Sequence, residues 1–266
     1  MADHAAIGIF DSGVGGLTVF REITRLLPNE SIVYLGDTAR VPYGTKSADT
    51  VIRYACACAD ILVRHHIKML VVACNTASAH AVEALWERLD IPVVGVIEPG
   101  AQAAVLQSTG GRIGVIGTTG TINSGAYAQA IQSLSPGAEV FTQACPLFVP
   151  LVEEGWTEGP VPQAIAQQYL AQLMAEQIDT LVLGCTHYPL LAATIAGAVG
   201  PDIRLVDSAQ ATARVVQQTL DATHLGAEKD QLPYHHFLVS DSPDSFTRVA
   251  KRFLGYDLQD VEWVDF

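Results

Sequence analysis

Short apolar runs alternate with stretches of helical periodicity along almost the whole chain. The first run is Ile7-Gly8-Ile9-Phe10, followed by the turn Asp11-Ser12-Gly13-Val14-Gly15-Gly16. Leu17 to Leu27 places its apolar residues at helical spacing and stops before Pro28. Ile32 to Leu35 predicts a second strand, Val51 to His65 a helix, and Met69-Leu70-Val71-Val72-Ala73 a third strand. A helix from about Ala77 to Leu89 and a strand over Pro92 to Val96 come next. Further on, Thr180 to Gly184 and Tyr234 to Val239 read as strands, Ala209 to Leu220 and Ser245 to Leu254 as helices. Runs this short and this apolar suit strands buried on both faces, and their alternation with helices predicts an α/β fold with mostly parallel sheets.

The pattern then repeats. Ile7-Gly8-Ile9-Phe10-Asp11-Ser12 aligns with Ile113-Gly114-Val115-Ile116-Gly117-Thr118, Cys74 with Cys185, and Val93-Val94-Gly95 with Leu205-Val206-Asp207. The offsets of 106, 111 and 112 residues drift only as loop insertions would make them drift. We therefore expect two similar α/β domains related by duplication, with the boundary near Glu98-Pro99-Gly100. The chain beyond Asp207 has no counterpart in the first half and is expected to complete the first domain. The expected division is 1–97 plus 208–266 for the first domain and 98–207 for the second.

Composition narrows the functional classes. At 266 residues, 49% apolar and 16% charged, the chain can bury a substantial core. No apolar stretch approaches the ~18 residues of a membrane span, and Met1-Ala2-Asp3-His4 lacks the basic and apolar blocks of a signal peptide. A soluble cytoplasmic protein is expected. A formal charge of −13 argues against general nucleic-acid binding, which needs a basic face. Five cysteines, an odd number without an export signal, point to reduced thiols. Cys56 and Cys58 lie two apart in a helical stretch, do not face each other, and read as core or surface residues.

Cys74 and Cys185 are different, because each ends a buried strand, where open α/β sheets bind ligands. Asn75 or Thr76 would cap the helix after Cys74, and a thiol near free helix N–H groups is expected to have a lowered pKa. His187, two residues after Cys185, is placed to exchange a proton with it. Cys185-Thr186-His187 is a poor start for a zinc site, which needs three or four ligands. The loop after the first strand has neither G-x-G-x-x-G spacing nor a Walker lysine, yet its glycines let backbone approach a small anion. Asp11 would act on the same face as Cys74, and Gly117-Thr118-Thr119-Gly120-Thr121 offers uncharged donors suited to a carboxylate. Arg40 reads equally as a cation for that anion or as a surface salt bridge, and Glu153-Glu154-Gly155-Trp156 as an acidic loop. Of the four lysines only Lys46 lies near these loops, so a Schiff-base lysine is poorly supported and no cofactor signature replaces it. Two equivalent thiols, one from each half, suit inversion of a stereocentre: a base on one face of a carbon and an acid on the other.

Four motifs, Phe10 to Val19, Gly36 to Gly44, Ala73 to Ala79 and Gly184 to Leu190, resemble those of the bacterial glutamate racemases, and Ile113 to Ser124 and Phe246 to Gly255 are similar too. The resemblance implies interconversion of L- and D-glutamate without pyridoxal phosphate or metal, supplying D-glutamate for peptidoglycan. It implies two α/β domains with the site in the cleft between them. Carried over by motif, Cys74 and Cys185 would be the acid–base thiols, with Asp11 assisting Cys74, His187 assisting Cys185 and Glu153 a further helper. Asp11, Ser12, Pro42, Tyr43, Gly44, Asn75, Thr76, Thr186 and His187 would contact substrate, with Thr118 and Thr121 lining the site. It implies no cofactor, a homodimer whose geometry varies among members, no membrane and no direct nucleic-acid partner. Some members bind DNA gyrase, to which no residue here points. The rivals are an aspartate racemase or another two-cysteine relative, and an amino-acid-binding protein without turnover. His65-His66 and His235-His236 read as surface residues.

Overall fold

The computed structural model describes residues 5–228 and 232–265. The described residues hold ten strands: β1 (Ala6–Asp11), β2 (Ile32–Gly36), β3 (Ile67–Val72), β4 (Val93–Gly95), β5 (Arg112–Gly117), β6 (Glu139–Ala144), β7 (Thr180–Gly184), β8 (Arg204–Asp207), β9 (His235–Val239) and β10 (Val261–Trp263). Six form one sheet in the order β10-β9-β2-β1-β3-β4 and four form a second in the order β6-β5-β7-β8. Every pairing is parallel, so each strand must be reached by a crossover, and helices fill those crossovers. Among the described residues no helix is long and apolar enough to cross a membrane.

The repeat read from the sequence is present strand by strand. Ile7 pairs with Met69 as Ile113 pairs with Thr180, and Leu70 pairs with Val93 as Leu181 pairs with Leu205. In each sheet the chain leaves its first strand toward one edge and returns on the other side of that strand. The break falls between β1 and β3 in one sheet and between β5 and β7 in the other. Loops diverge there, and the carboxyl ends of the two central strands open a crevice. Asp11 ends β1, Cys74 lies just past β3, and Cys185 follows β7 directly. Strands β9 and β10 extend the first sheet beyond β2. Two of the four edge strands, β6 and β10, were not expected, and neither contains a buried residue.

Strand alternation divides the core into three parts. Ile7, Ile9, Met69 and Val71 point to one side of the six-stranded sheet, Phe10, Leu70 and Val72 to the other. The first set is continuous with Ile116, Leu181 and Leu183 of the four-stranded sheet, so a single apolar cluster runs through both. Val19 and Phe20 of the helix Leu17–Leu26, and Ala213 and Val216 of the helix Ser208–Thr223, are buried in the same cluster. Val115, Val182 and Val206 form a separate cluster on the outer side of the second sheet.

This arrangement brings the loop after β1 against the loop after β7. A methyl group at Gly15 would run into the Thr186 hydroxyl and stand 2.5 Å from His187 Nδ1. Gly15→Ala is therefore expected to destabilise the protein by about 1–3 kcal/mol, read as a drop of several degrees in thermal unfolding. Gly137→Ala, which meets nothing within 4 Å, should leave the midpoint in place. Equal midpoints for the two variants would show that the loops are not held this closely.

Candidate active site

Asp11 is almost fully buried, and its Oδ2 accepts a 2.8 Å hydrogen bond from the Gly13 N–H. Tyr34 donates its hydroxyl to the Gly13 carbonyl at 2.9 Å, which holds the turn from below. Asp11 Oδ1 has no hydrogen-bond partner in the protein. Burial raises the Asp11 pKa, against the charge of His187 and the N–H groups of Gly13 and Gly16, which lower it.

Cys74 is itself the cap of the helix Asn75–Arg88, in place of Asn75 or Thr76: its Sγ accepts the Ala77 N–H at 3.5 Å. The thiol pKa is not lowered as the sequence suggested but pushed up to about 12. Burial is the largest cause and the Asp11 charge the next; the Ala77 N–H and the Ser12 hydroxyl act against them. One long N–H···S contact at a helix start does not outweigh removal from water.

On the opposite side, Cys185 Sγ lies 4.0 Å from His187 Nδ1, and His187 Nε2 lies 3.0 Å from Glu153 Oε1. Burial alone would lower the His187 pKa, but hydrogen bonds and charge from Cys185 and Glu153 raise it to about 10. The ring is braced edge-on by Phe253, 5.3 Å between centroids. Glu153 and Glu154 are not in a loop. They end the helix Phe148–Glu154, which Gly155 closes at φ +80.

The remaining predicted positions join the two sheets. Thr76 Oγ1 is 2.9 Å from Thr118 Oγ1 and 3.1 Å from Thr121 Oγ1. Thr18 donates its hydroxyl to the Thr186 carbonyl at 3.2 Å, and Gly44 packs against the Thr118 side chain. Asn75 Oδ1 accepts the Tyr127 hydroxyl at 2.7 Å. Pro42 is exposed, after a cis peptide bond from Val41. Tyr43 is buried, and its hydroxyl donates to Asp37 at 2.5 Å. Of the two readings of Arg40 the structure shows the salt bridge, with a buried rather than a surface partner. Arg40 binds the fully buried Asp37 at 2.7 Å and lies over the Tyr54 ring at 4.5 Å.

Sequence reasoning missed Thr18, Tyr127 and Phe253, whose partners lie on other elements and leave no local signal. Among the described residues no group of three or more His, Cys, Asp or Glu could hold a metal ion. A groove of about 770 Å³, lined by Glu83, Trp86, Glu98 and Leu134 among others, is lined by none of the site residues above.

Cys74 and Cys185, each with its own titratable neighbour, thus stand at the openings of the two sheets. Residues 7–216 match the family described as Asp/Glu/Hydantoin racemase. A glutamate racemase from Geobacter metallireducens is 58% identical over 256 residues, covering 96% of this chain and 95% of that protein. A crystal structure of a glutamate racemase isoform from Bacillus anthracis superposes with a TM-score of 0.95 at 44% identity, over 99% of this chain and 98% of that one. A glutamate racemase from Francisella tularensis in complex with D-glutamate gives 0.92 at 38% identity, over 99% of this chain and 98% of that one. With strand register, paired openings and full-length identity in agreement, the chain belongs to the Asp/Glu/Hydantoin racemase family.

Proposed function

We propose that this protein is a glutamate racemase that interconverts L- and D-glutamate with two cysteine thiols and no cofactor, supplying D-glutamate for peptidoglycan. The observation that carries the reading is the equivalence of the thiols: Cys74 follows β3 and Cys185 follows β7, strands in matching register in the two sheets. A carbon held between them meets one thiol from each side. In one direction the Cys74 thiolate takes the α-proton: the C–H bond breaks, an S–H bond forms, and the electron pair moves into the carboxylate. The Cys185 thiol then gives its proton to the opposite face, and the reverse reaction exchanges the two roles.

The α-proton is far less acidic than a thiol, so the site must supply a strong base and stabilise the developing charge. Burial and Asp11 make the Cys74 thiolate, once formed, a stronger base than an ordinary one. On the other side hydrogen bonds and charge from Cys185 and Glu153 raise the His187 pKa to about 10, which favours the protonated ring as a proton source toward Cys185. Asp11 Oδ1 and Asn75 Nδ2, both buried and without a protein partner, suit the substrate ammonium and a carboxylate respectively. The Thr76, Thr118 and Thr121 hydroxyls add donors for carboxylate oxygens.

The same reading divides the chain into 1–97 plus 208–266 and 98–207, with substrate between the two. It places the protein in the cytoplasm, where thiols stay reduced. We also infer a homodimer. The exposed Leu147 and Trp156 at the two ends of the helix Phe148–Glu154 support it, with Val161 beyond.

Incubated with L-glutamate in deuterated water without added cofactor, the protein is expected to abolish the circular-dichroism signal and place deuterium on the α-carbon. Folded, reduced protein that does neither sinks the reading, and turnover of aspartate alone would replace the substrate. Cys74→Ser and Cys185→Ser should each slow racemisation by about 10³-fold with an unchanged unfolding midpoint; a variant that retains turnover loses its assigned thiol. Glu153 raises the His187 pKa, so Glu153→Gln should lower it and move the alkaline limb of kcat/KM to lower pH. A limb that stays in place would separate Glu153 from the His187 pair.

A further inference from the structure

Tyr127 touches the residue after one thiol and the residue before the other, although it lies in neither sheet. It is the second residue of the helix Ala126–Leu134 and is buried. Its hydroxyl donates to Asn75 Oδ1 at 2.7 Å, directly after Cys74. Its ring lies against Gly184, directly before Cys185: a methyl group there would stand 3.0 Å from Tyr127 Cε2. On the third side a methyl group at Gly100 would stand 3.0 Å from the Tyr127 hydroxyl and 3.1 Å from Ser208 Cβ. Neither glycine position admits a side chain without moving the ring.

We propose that Tyr127 is a positioning residue that couples the two half-sites, fixing the Asn75 amide so that its NH₂ group serves the substrate carboxylate while its ring sets the backbone before Cys185. This rests on the racemase reading above. A phenol has one proton to give. Tyr127 gives it to Asn75, and the Ser208 side chain lies beside the hydroxyl and favours its charged form. An amide whose oxygen is so engaged presents its nitrogen the other way, and Asn75 Nδ2 is the buried atom left without a partner. A rotated amide would offer a carboxylate ligand an oxygen instead of two donors. Tyr127 makes no contact with substrate in this scheme; it acts through Asn75 and through the Gly184 backbone.

A double-mutant cycle tests the coupling, read as KM for both enantiomers and as the glutamate Kd from titration calorimetry. Asn75→Ala should weaken binding by at least about tenfold, as loss of a hydrogen bond to a charged group does. Tyr127→Phe, which keeps the ring, should weaken it about three- to tenfold while lowering the unfolding midpoint by only a few degrees. The double variant should bind within about twofold of Asn75→Ala alone. Ser208→Ala should give a smaller loss that also vanishes in the Asn75→Ala background.

Losses that multiply in the double variant, or a Tyr127→Phe protein with unchanged KM and Kd, overturn the inference. Wild-type protein that binds glutamate without racemising it would sink the reaction while the cycle remains readable in Kd. Wild-type protein that does not bind glutamate overturns both.

Discussion

The apolar seam shared by the two sheets is the contact on which the site depends. Ile7, Ile9, Met69 and Val71 from one sheet and Ile116, Leu181 and Leu183 from the other belong to one cluster, joined by the helices Leu17–Leu26 and Ser208–Thr223. Close-packed interiors transmit displacement rather than absorb it. With the seam in register, the ends of β1 and β7 meet so closely that only glycine fits at position 15. A slip of the seam would separate Asp11 and Cys74 from Cys185 and His187, however well each sheet folded.

Burial then dictates the electrostatics of the site. Cys74 and His187 both gain pKa, for opposite reasons. For the thiol, removal from water and the neighbouring Asp11 carboxylate disfavour the anion. For the imidazole, removal from water disfavours the cation, and Cys185 and Glu153 more than reverse it. The two sides are therefore alike in geometry and unlike in charge. On one side the thiol sits beside a carboxylate; on the other it sits beside an imidazole that a second carboxylate backs.

Strands buried on both faces were legible because burial on two sides leaves an unbroken apolar run, as in Ile7 to Phe10 and Met69 to Val72. The repeat could be read to the residue for the same reason. Strands β6 and β10 were not legible: each lies at a sheet edge with no buried position, so its residues alternate without a clear core side. Cys74 and Cys185 were visible from what precedes them, whereas their surroundings depended on residues far away in sequence. The Tyr127 partner Asn75 lies 52 positions away, and Phe253 reaches His187 from the far end of the chain. The Arg40 salt bridge was legible as one of two readings but its partner was not, because Asp37 shows itself as a buried carboxylate only once Ser240 and Tyr43 are seen to hydrogen-bond it.

The order in which strands enter the first sheet bears on how the protein is made. The four-stranded sheet is built from one continuous stretch, β5 to β8. The six-stranded sheet is not: β9 pairs with β2 through Ile32 and His235, and β10 adds only outside β9. On a ribosome, which releases the chain from its amino end, β2 must wait with an open edge until some two hundred further residues have emerged. During that wait Asp37 lacks the Ser240 hydroxyl and His187 lacks the Phe253 ring. The nascent chain thus carries both thiols before it carries the Ser240 and Phe253 contacts that complete their surroundings.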